Sequence, residues 1–220
     1  METTMTYKKA ITGLVNIYAE VDVLTMELCA AWLPKAPDRH AQLEMAEQIG
    51  EERVHYLSQV AWLDQHAGGP TRMVPEAWTL RLRELVNGMQ WLEYLASVHL
   101  AIEGVGIAIV ERAVRDADES VKACLAPSLR DEGGHSAFAV RQLKRLLDDA
   151  SPEDRVGIRD RIVAAMRAIY QLAGTLPVTS AHWEAVGTST EEIRQISARR
   201  TASLMSALGF PPTSPLSSIP

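Results

Sequence analysis

Asp131-Glu132-Gly133-Gly134-His135 and, upstream, Glu51-Glu52-Arg53-Val54-His55 repeat one pattern, an acid followed by Glu-x-x-His. Both stretches read as helix. At about 100° per residue, positions i and i+3 stand about 60° apart, so each motif projects one carboxylate and one imidazole from the same face. Those are metal donors, although one such motif alone is weak evidence. Weight comes from a lone glutamate on the helix before each motif: Glu20 before Glu52, and Glu103 before Glu132. Each gap is roughly thirty residues, the span of a helical hairpin that can bring such residues together.

The depths agree. The first helix is expected from about Tyr7 to Trp32, stopped by Pro34 and Pro37, after a frayed start at 1–6. The second is expected from Asp38, as N-cap, to about His66, closed by Gly68-Gly69-Pro70. On the helical wheel Glu20 shares its face with Asn16, Val23, Leu24, Glu27 and Ala31. The Glu52 face also carries Met45, Gln48, Ile49, His55, Tyr56, Gln59 and Leu63. At about 1.5 Å per residue, Glu20 and Glu52 each lie roughly 18–20 Å from the turn, which sets them level in an antiparallel pair. Glu103 and Glu132 stand in the same relation to a break near Ala117-Asp118-Glu119, on helices expected over 90–116 and 120–149. The chain therefore reads as a duplicated hairpin. A short helix over 75–89 joins the halves. Ser151-Pro152 opens a further helix to about Leu172, residues 174–188 read as irregular, and Ser189-Thr190-Glu191-Glu192 caps a last helix to Leu208. No strand pattern is present.

Glu20, Glu52, His55, Glu103, Glu132 and His135 together offer four carboxylates and two imidazoles. Such an oxygen-rich set suits two iron ions, or manganese, better than zinc or copper. Four acids buried without cations would be costly. Asp131 and Glu51 stand four residues before the two histidines, where a carboxylate can take the imidazole's other N–H; for Glu51 a solvated helix acid is the alternative. Glu27, two turns after Glu20, reads as an alternative ligand or as lining of an access channel. His99, one turn before Glu103, reads as a core or channel polar group in preference to a further ligand. Mid-helix Gly104 and Gly106 each cost about 1 kcal/mol against alanine. They imply either close helix packing or a substrate pocket, to which Tyr56 also belongs, and a π-bulge would be in keeping there. On an α-helical wheel Gly106 faces the site and Gly104 points away; Gly133-Gly134 repeat the anomaly.

Composition excludes other classes. The 220 residues carry a net charge of −6 with no basic tail or stripe, which argues against nucleic acid and anionic membrane surfaces. No uninterrupted apolar run of about eighteen residues and no signal-peptide pattern is evident, so a cytoplasmic setting and no membrane are expected. Cys29 and Cys124 form no Cys-x-x-Cys pair, so neither a disulfide framework nor a thiolate iron site is suggested.

Over roughly residues 7–149, with all six ligand positions, the chain resembles the ferritin-like di-iron carboxylate superfamily. The acid-Glu-x-x-His form of the second motif and the helices beyond the bundle resemble the oxygenase branch. In layout it is similar to aldehyde-deformylating oxygenases and to the catalytic subunit of phenylacetyl-CoA epoxidase. It is less similar to ferritins, which close with one short helix, or to rubrerythrins, with their Cys-x-x-Cys module. The resemblance implies an all-α, ferritin-like four-helix bundle with additional C-terminal helices. That is a single domain over 1–220, with core 7–149, C-terminal helices 151–208 and a mobile tail from 209 to 220. It further implies two iron ions that activate dioxygen to oxidise a small organic substrate. Electrons would come from an external reductase, since no flavin, nicotinamide or Cys-cluster motif is visible, and a homodimer is an open option. The alternative is an iron-oxidising or peroxide-scavenging protein without an organic substrate.

Overall fold

The computed structural model describes residues 5–211 and is all-α; no strand occurs among them. Helix α1 (Tyr7–Trp32) is capped by Thr6, whose hydroxyl accepts from the Lys9 N–H at 3.3 Å, and it ends in a 3-10 turn at Leu33–Lys35 containing Pro34. Asp38 caps α2 (Arg39–Ala67), accepting from the Ala41 N–H at 2.8 Å. Gly68 closes α2 at φ +80°, a left-handed conformation that glycine adopts without strain. After α3 (Glu76–Asn87), the apolar helix α4 spans Trp91–Val114. Asp118 caps α5 (Glu119–Asp148) and Ser151 caps α6 (Pro152–Ala173). The stretch expected to be irregular contains a short helix, α7 (Ser180–Ala185), entered through a Thr179–His182 capping box. Ser189 caps α8 (Thr190–Ala207). Residues 1–4 and the expected mobile tail from 212 onward lie outside the described residues.

Helix α4 is not uniform. Residues Trp91–Tyr94 and Gly106–Val114 are α-helical, but Leu95–Val105 form a π-helix, in which each N–H reaches back five residues and the turn is wider. Every residue of that π segment except Ile102 is buried. Helices α5, α6 and α8 all pack against it, while α2 packs between α1 and α5. The sequence offers no candidate membrane span, whereas α4 passes for one. By length and composition α4 could cross a bilayer, but 72% of its most apolar window is buried inside the protein. It is a core helix.

The wider turn also changes the expected facing of Gly104, because a wheel drawn at the α-helical period loses phase through a π segment. Gly104 is the packed one. A Cβ there would stand 2.8 Å from Ser136 Oγ, 3.1 Å from the His99 carbonyl oxygen and 3.3 Å from Leu204 Cδ1. Its own carbonyl accepts from Arg200 Nε of α8 at 2.8 Å. Gly106 is half-buried, with open space where its side chain would be. Gly133 and Gly134 are exposed with nothing near a Cβ, so they neither permit close packing nor line a cavity; nothing in the structure explains them.

Candidate metal centre

Helix α2 supplies Glu52 and His55, α4 supplies Glu103, and α5 supplies Glu132 and His135; none of the five is more than 6% exposed. Their ionisable atoms meet. His135 Nδ1 lies 3.3 Å from Glu103 Oε2, 3.4 Å from Glu132 Oε2 and 3.6 Å from Glu52 Oε1. His55 Nδ1 lies 3.3 Å from Glu52 Oε2 and 3.9 Å from Glu132 Oε1.

The acid from α1 is not the expected one. Glu20 Oε1 accepts from the Met73 and Val74 N–H groups at 2.5 and 3.0 Å, and Asn16 Oδ1 accepts from Thr71 N–H at 2.6 Å. That face of α1 clamps the loop before α3. Asp22, about 200° further round the helix, faces α2 instead. Asp22, Glu52 and His55 each bring one donor atom within 4.8 Å of the others, as do Glu52, Glu132 and His135. Glu52 belongs to both groups. A sequence signal for Asp22 existed. Ile11, Val15, Tyr18, Asp22, Thr25, Cys29 and Trp32 recur at alternating spacings of four and three, a core register in which Asp22 is the charged member.

Two glutamines of α2 hold the outer carboxylates. Gln48 Nε2, one turn before Glu52, donates to Glu103 Oε1 at 2.5 Å. Gln59 Nε2, one turn after His55, donates to an Asp22 oxygen at 2.7 Å. The acids preceding the motif glutamates act across the bundle. Asp131 Oδ2 lies 3.3 Å from His55 Nε2, and Glu51 Oε2 lies 2.7 Å from His135 Nε2. Each imidazole thus turns Nε2 to an acid on the opposite motif helix and Nδ1 toward the cluster. That is the orientation a carboxylate imposes on a metal-binding histidine. Asp131 is itself gripped by Arg130 at 2.9 and 3.1 Å. Burial alone would lift its pKa, but the Arg130 and His55 contacts hold it below the usual range.

The other expected residues fall outside this geometry or at its margin. Glu27 is exposed and paired with Arg83 of α3, so it is neither ligand nor channel lining. Tyr56 is half-buried one turn after Glu52. His99 is fully buried, with Nδ1 3.5 Å from Glu103 Oε2.

Proton affinities follow from crowding. Burial pushes Glu52 well above the ordinary carboxylate range, reinforced by Glu103 and Glu132. Burial, with Glu52 beside it, does the same to Asp22, and burial raises Glu132. For Glu103 burial is outweighed by His99 and His135, which hold it down to about 2. Burial of His135 is likewise outweighed by Glu103 and Glu132, and its pKa rises to about 12. Without a cation, crowding favours a proton on His135 and opposes ionisation of Asp22, Glu52 and Glu132.

The donor set fits metal ions by a separate test. Glu52 Oε1, Glu103 Oε2, Glu132 Oε2 and His135 Nδ1 are all buried, and none makes a hydrogen bond of good geometry among the described residues. An unsatisfied buried polar group costs about 1–3 kcal/mol, more when charged. Carboxylate oxygens and imidazole Nδ1 atoms converging in this way are what hard or borderline divalent cations bind. No protein-family model matches the chain, and no curated protein matches its sequence.

Proposed function

We propose that the chain is a ferritin-like di-iron protein that activates dioxygen to oxidise a small organic substrate. The observation that carries this reading is the shared carboxylate: Glu52 stands in both donor groups, one completed by Asp22 and His55 and the other by Glu132 and His135. Two cations held on a common carboxylate lie close enough to act on one small molecule. Iron(II) held by Asp22, Glu52, His55, Glu103, Glu132 and His135 would supply reducing electrons for dioxygen, and manganese fits the same donors.

In this reading α1, α2, α4 and α5 form the two hairpins of the bundle, and Asp22 and Glu103 are the outer carboxylates. His55 and His135 bind through Nδ1, while Asp131 and Glu51 keep each Nε2 protonated and the ring aimed. Gln48 and Gln59 fix the outer carboxylates so that little reorganisation is needed on binding. Buried Phe138 packs edge to face on His99 beside Glu103 and keeps that side of the site apolar. In the same reading a small organic molecule approaches from the side of Gly106, three residues after Glu103, where no heavy atom stands within 4 Å of a Cβ position. Electrons for turnover come from a separate reductase.

The test is anaerobic loading with iron(II), then addition of dioxygen with the optical spectrum and oxygen consumption followed together. The proposal expects rapid oxygen uptake, limited to the bound iron, in a protein that stays small on a sizing column. Continuous oxidation of excess iron within a large shell would replace it with the storage reading. No oxygen uptake by the iron-loaded chain would overturn both.

A further inference from the structure

His99 stands where no ordinary core histidine should. It is 0% exposed, and neither ring nitrogen has a hydrogen-bond partner among the described residues. A buried imidazole normally satisfies at least one of them through backbone or side chain. The ring of His99 meets Tyr94 and Phe138 edge to face, with centroids 5.3 Å away in both cases. Aromatic contacts of this kind fix its orientation without giving either nitrogen a partner. Tyr94 supplies none; its hydroxyl donates to Cys29 Sγ at 3.3 Å.

What Nδ1 does face is Glu103 Oε2, at 3.5 Å. Gln48 already occupies the other oxygen of that carboxylate, so Oε2 is the one without a partner. The same Oε2 lies 3.3 Å from His135 Nδ1. Metal–nitrogen and metal–oxygen bonds to such ions are about 2.0–2.2 Å, so two donors 3.3–3.5 Å apart can share one ion. His99 and Glu103, four residues apart, are brought onto one buried face by the π segment that contains both.

We infer that His99 is a third imidazole donor of the centre, binding beside Glu103 and His135, so that its two metal positions are chemically unlike. The inference rests on the metal reading above. One position is served by Asp22 and His55, the other by Glu103, His135 and His99, with Glu52 and Glu132 between them. The position with two imidazoles favours ions that prefer nitrogen and fills first; the one with a single imidazole fills second. The centre is therefore built for stepwise loading, and for two different ions where two are on offer.

The experiment is a zinc(II) titration of the full chain labelled with nitrogen-15 in histidine, read by the ring-nitrogen NMR signals. His99 is assigned from the signal missing in His99→Gln. The inference expects His99 and His135 to move to metal-bound shifts with the first equivalent, and His55 with the second. In His99→Gln the first binding step, measured by calorimetry, weakens at least about tenfold while the second is preserved. If that variant does not fold, His99→Phe, which keeps an aromatic ring between Tyr94 and Phe138, supplies both the assignment and the calorimetry. Movement of His55 and His135 with His99 unmoved overturns the third donor and leaves the di-metal reading standing. Unmoved signals from all three at saturating zinc overturn both.

Discussion

Glu51 on α2 and His135 on α5 are joined across the bundle, carboxylate oxygen to Nε2 at 2.7 Å, although each lies in a different Glu-x-x-His motif. The reciprocal pair, Asp131 and His55, closes at 3.3 Å. Each motif therefore aims the other's imidazole. Partners of this kind typically cost 10–100-fold in metal affinity when removed. Glu51→Ala and Asp131→Ala should each weaken metal binding within that range in a competition assay with a chromophoric chelator, with the far-UV circular dichroism unchanged. Wild-type affinity in both would mean that the histidines are aimed by something else.

Glu20 and Asp22 are two residues apart and should behave in opposite ways. Glu20→Ala removes the acceptor for two loop N–H groups, and should cost about 1–3 kcal/mol in urea denaturation while keeping the metal content. Asp22→Ala should fold and lose the ion on the His55 side. Metal loss from Glu20→Ala with full retention in Asp22→Ala would reverse the assignment.

The two α4 glycines give a paired test of packing. Gly104→Ala forces a methyl against Ser136 and the His99 carbonyl, and should cost about 1–3 kcal/mol by overpacking. Gly106→Ala meets open space and removes a flexible residue from a helix, so it should be neutral or stabilising by up to about 1 kcal/mol. Gly106→Leu should still fold and bind two irons while raising KM for the organic substrate. Equal destabilisation by both alanine variants in denaturant melts would contradict the π-helical phasing.

The raised carboxylates set a pH slope for the metal-free protein. A group with its folded pKa raised stabilises fully below its unfolded value, and that stability is lost as pH climbs through the folded value. Asp22, Glu52 and Glu132 therefore withdraw stability above their unfolded values of 3.8, 4.5 and 4.5. His135 withdraws it progressively from 6.5 toward about 12. Glu103 has the opposite shift; its contribution is intact above 4.5 and lost as pH falls toward about 2. In chelator, Tm should fall between pH 6 and pH 9. With saturating zinc(II), which displaces those protons, affinity rises with pH and the fall should be reduced or reversed. A flat profile in chelator would mean that the acids are not crowded together.

Much of this architecture is legible in the sequence because caps and periodicity act locally. Asp38, Gly68, Ser151 and Ser189 mark helix ends by their own hydrogen bonding or backbone freedom. The two Glu-x-x-His motifs carry their own phase, so Glu52, His55, Glu132 and His135 can be placed before any packing is known. Asp22 does not stand out where glutamates at matched depth set the face of α1, although the register of Val15, Tyr18 and Thr25 runs through it. Gly104 and Gly106 signal a π irregularity, but its extent over Leu95–Val105 has no local signature. It depends on α5, α6 and α8 closing around α4 and on Arg200 taking the Gly104 carbonyl. The exchange of Glu51 and Asp131 between motifs is invisible for the same reason, since it exists only once α2 and α5 have packed.

The shared Glu52 makes stoichiometry the most direct measurement. The full chain should be titrated anaerobically with iron(II), with free iron read by a chelator after rapid desalting. The account predicts two ions retained per chain, and loss of both in Glu52→Ala because both donor groups contain it. A single retained ion, or two ions retained equally well by Glu52→Ala, would contradict a carboxylate-bridged pair.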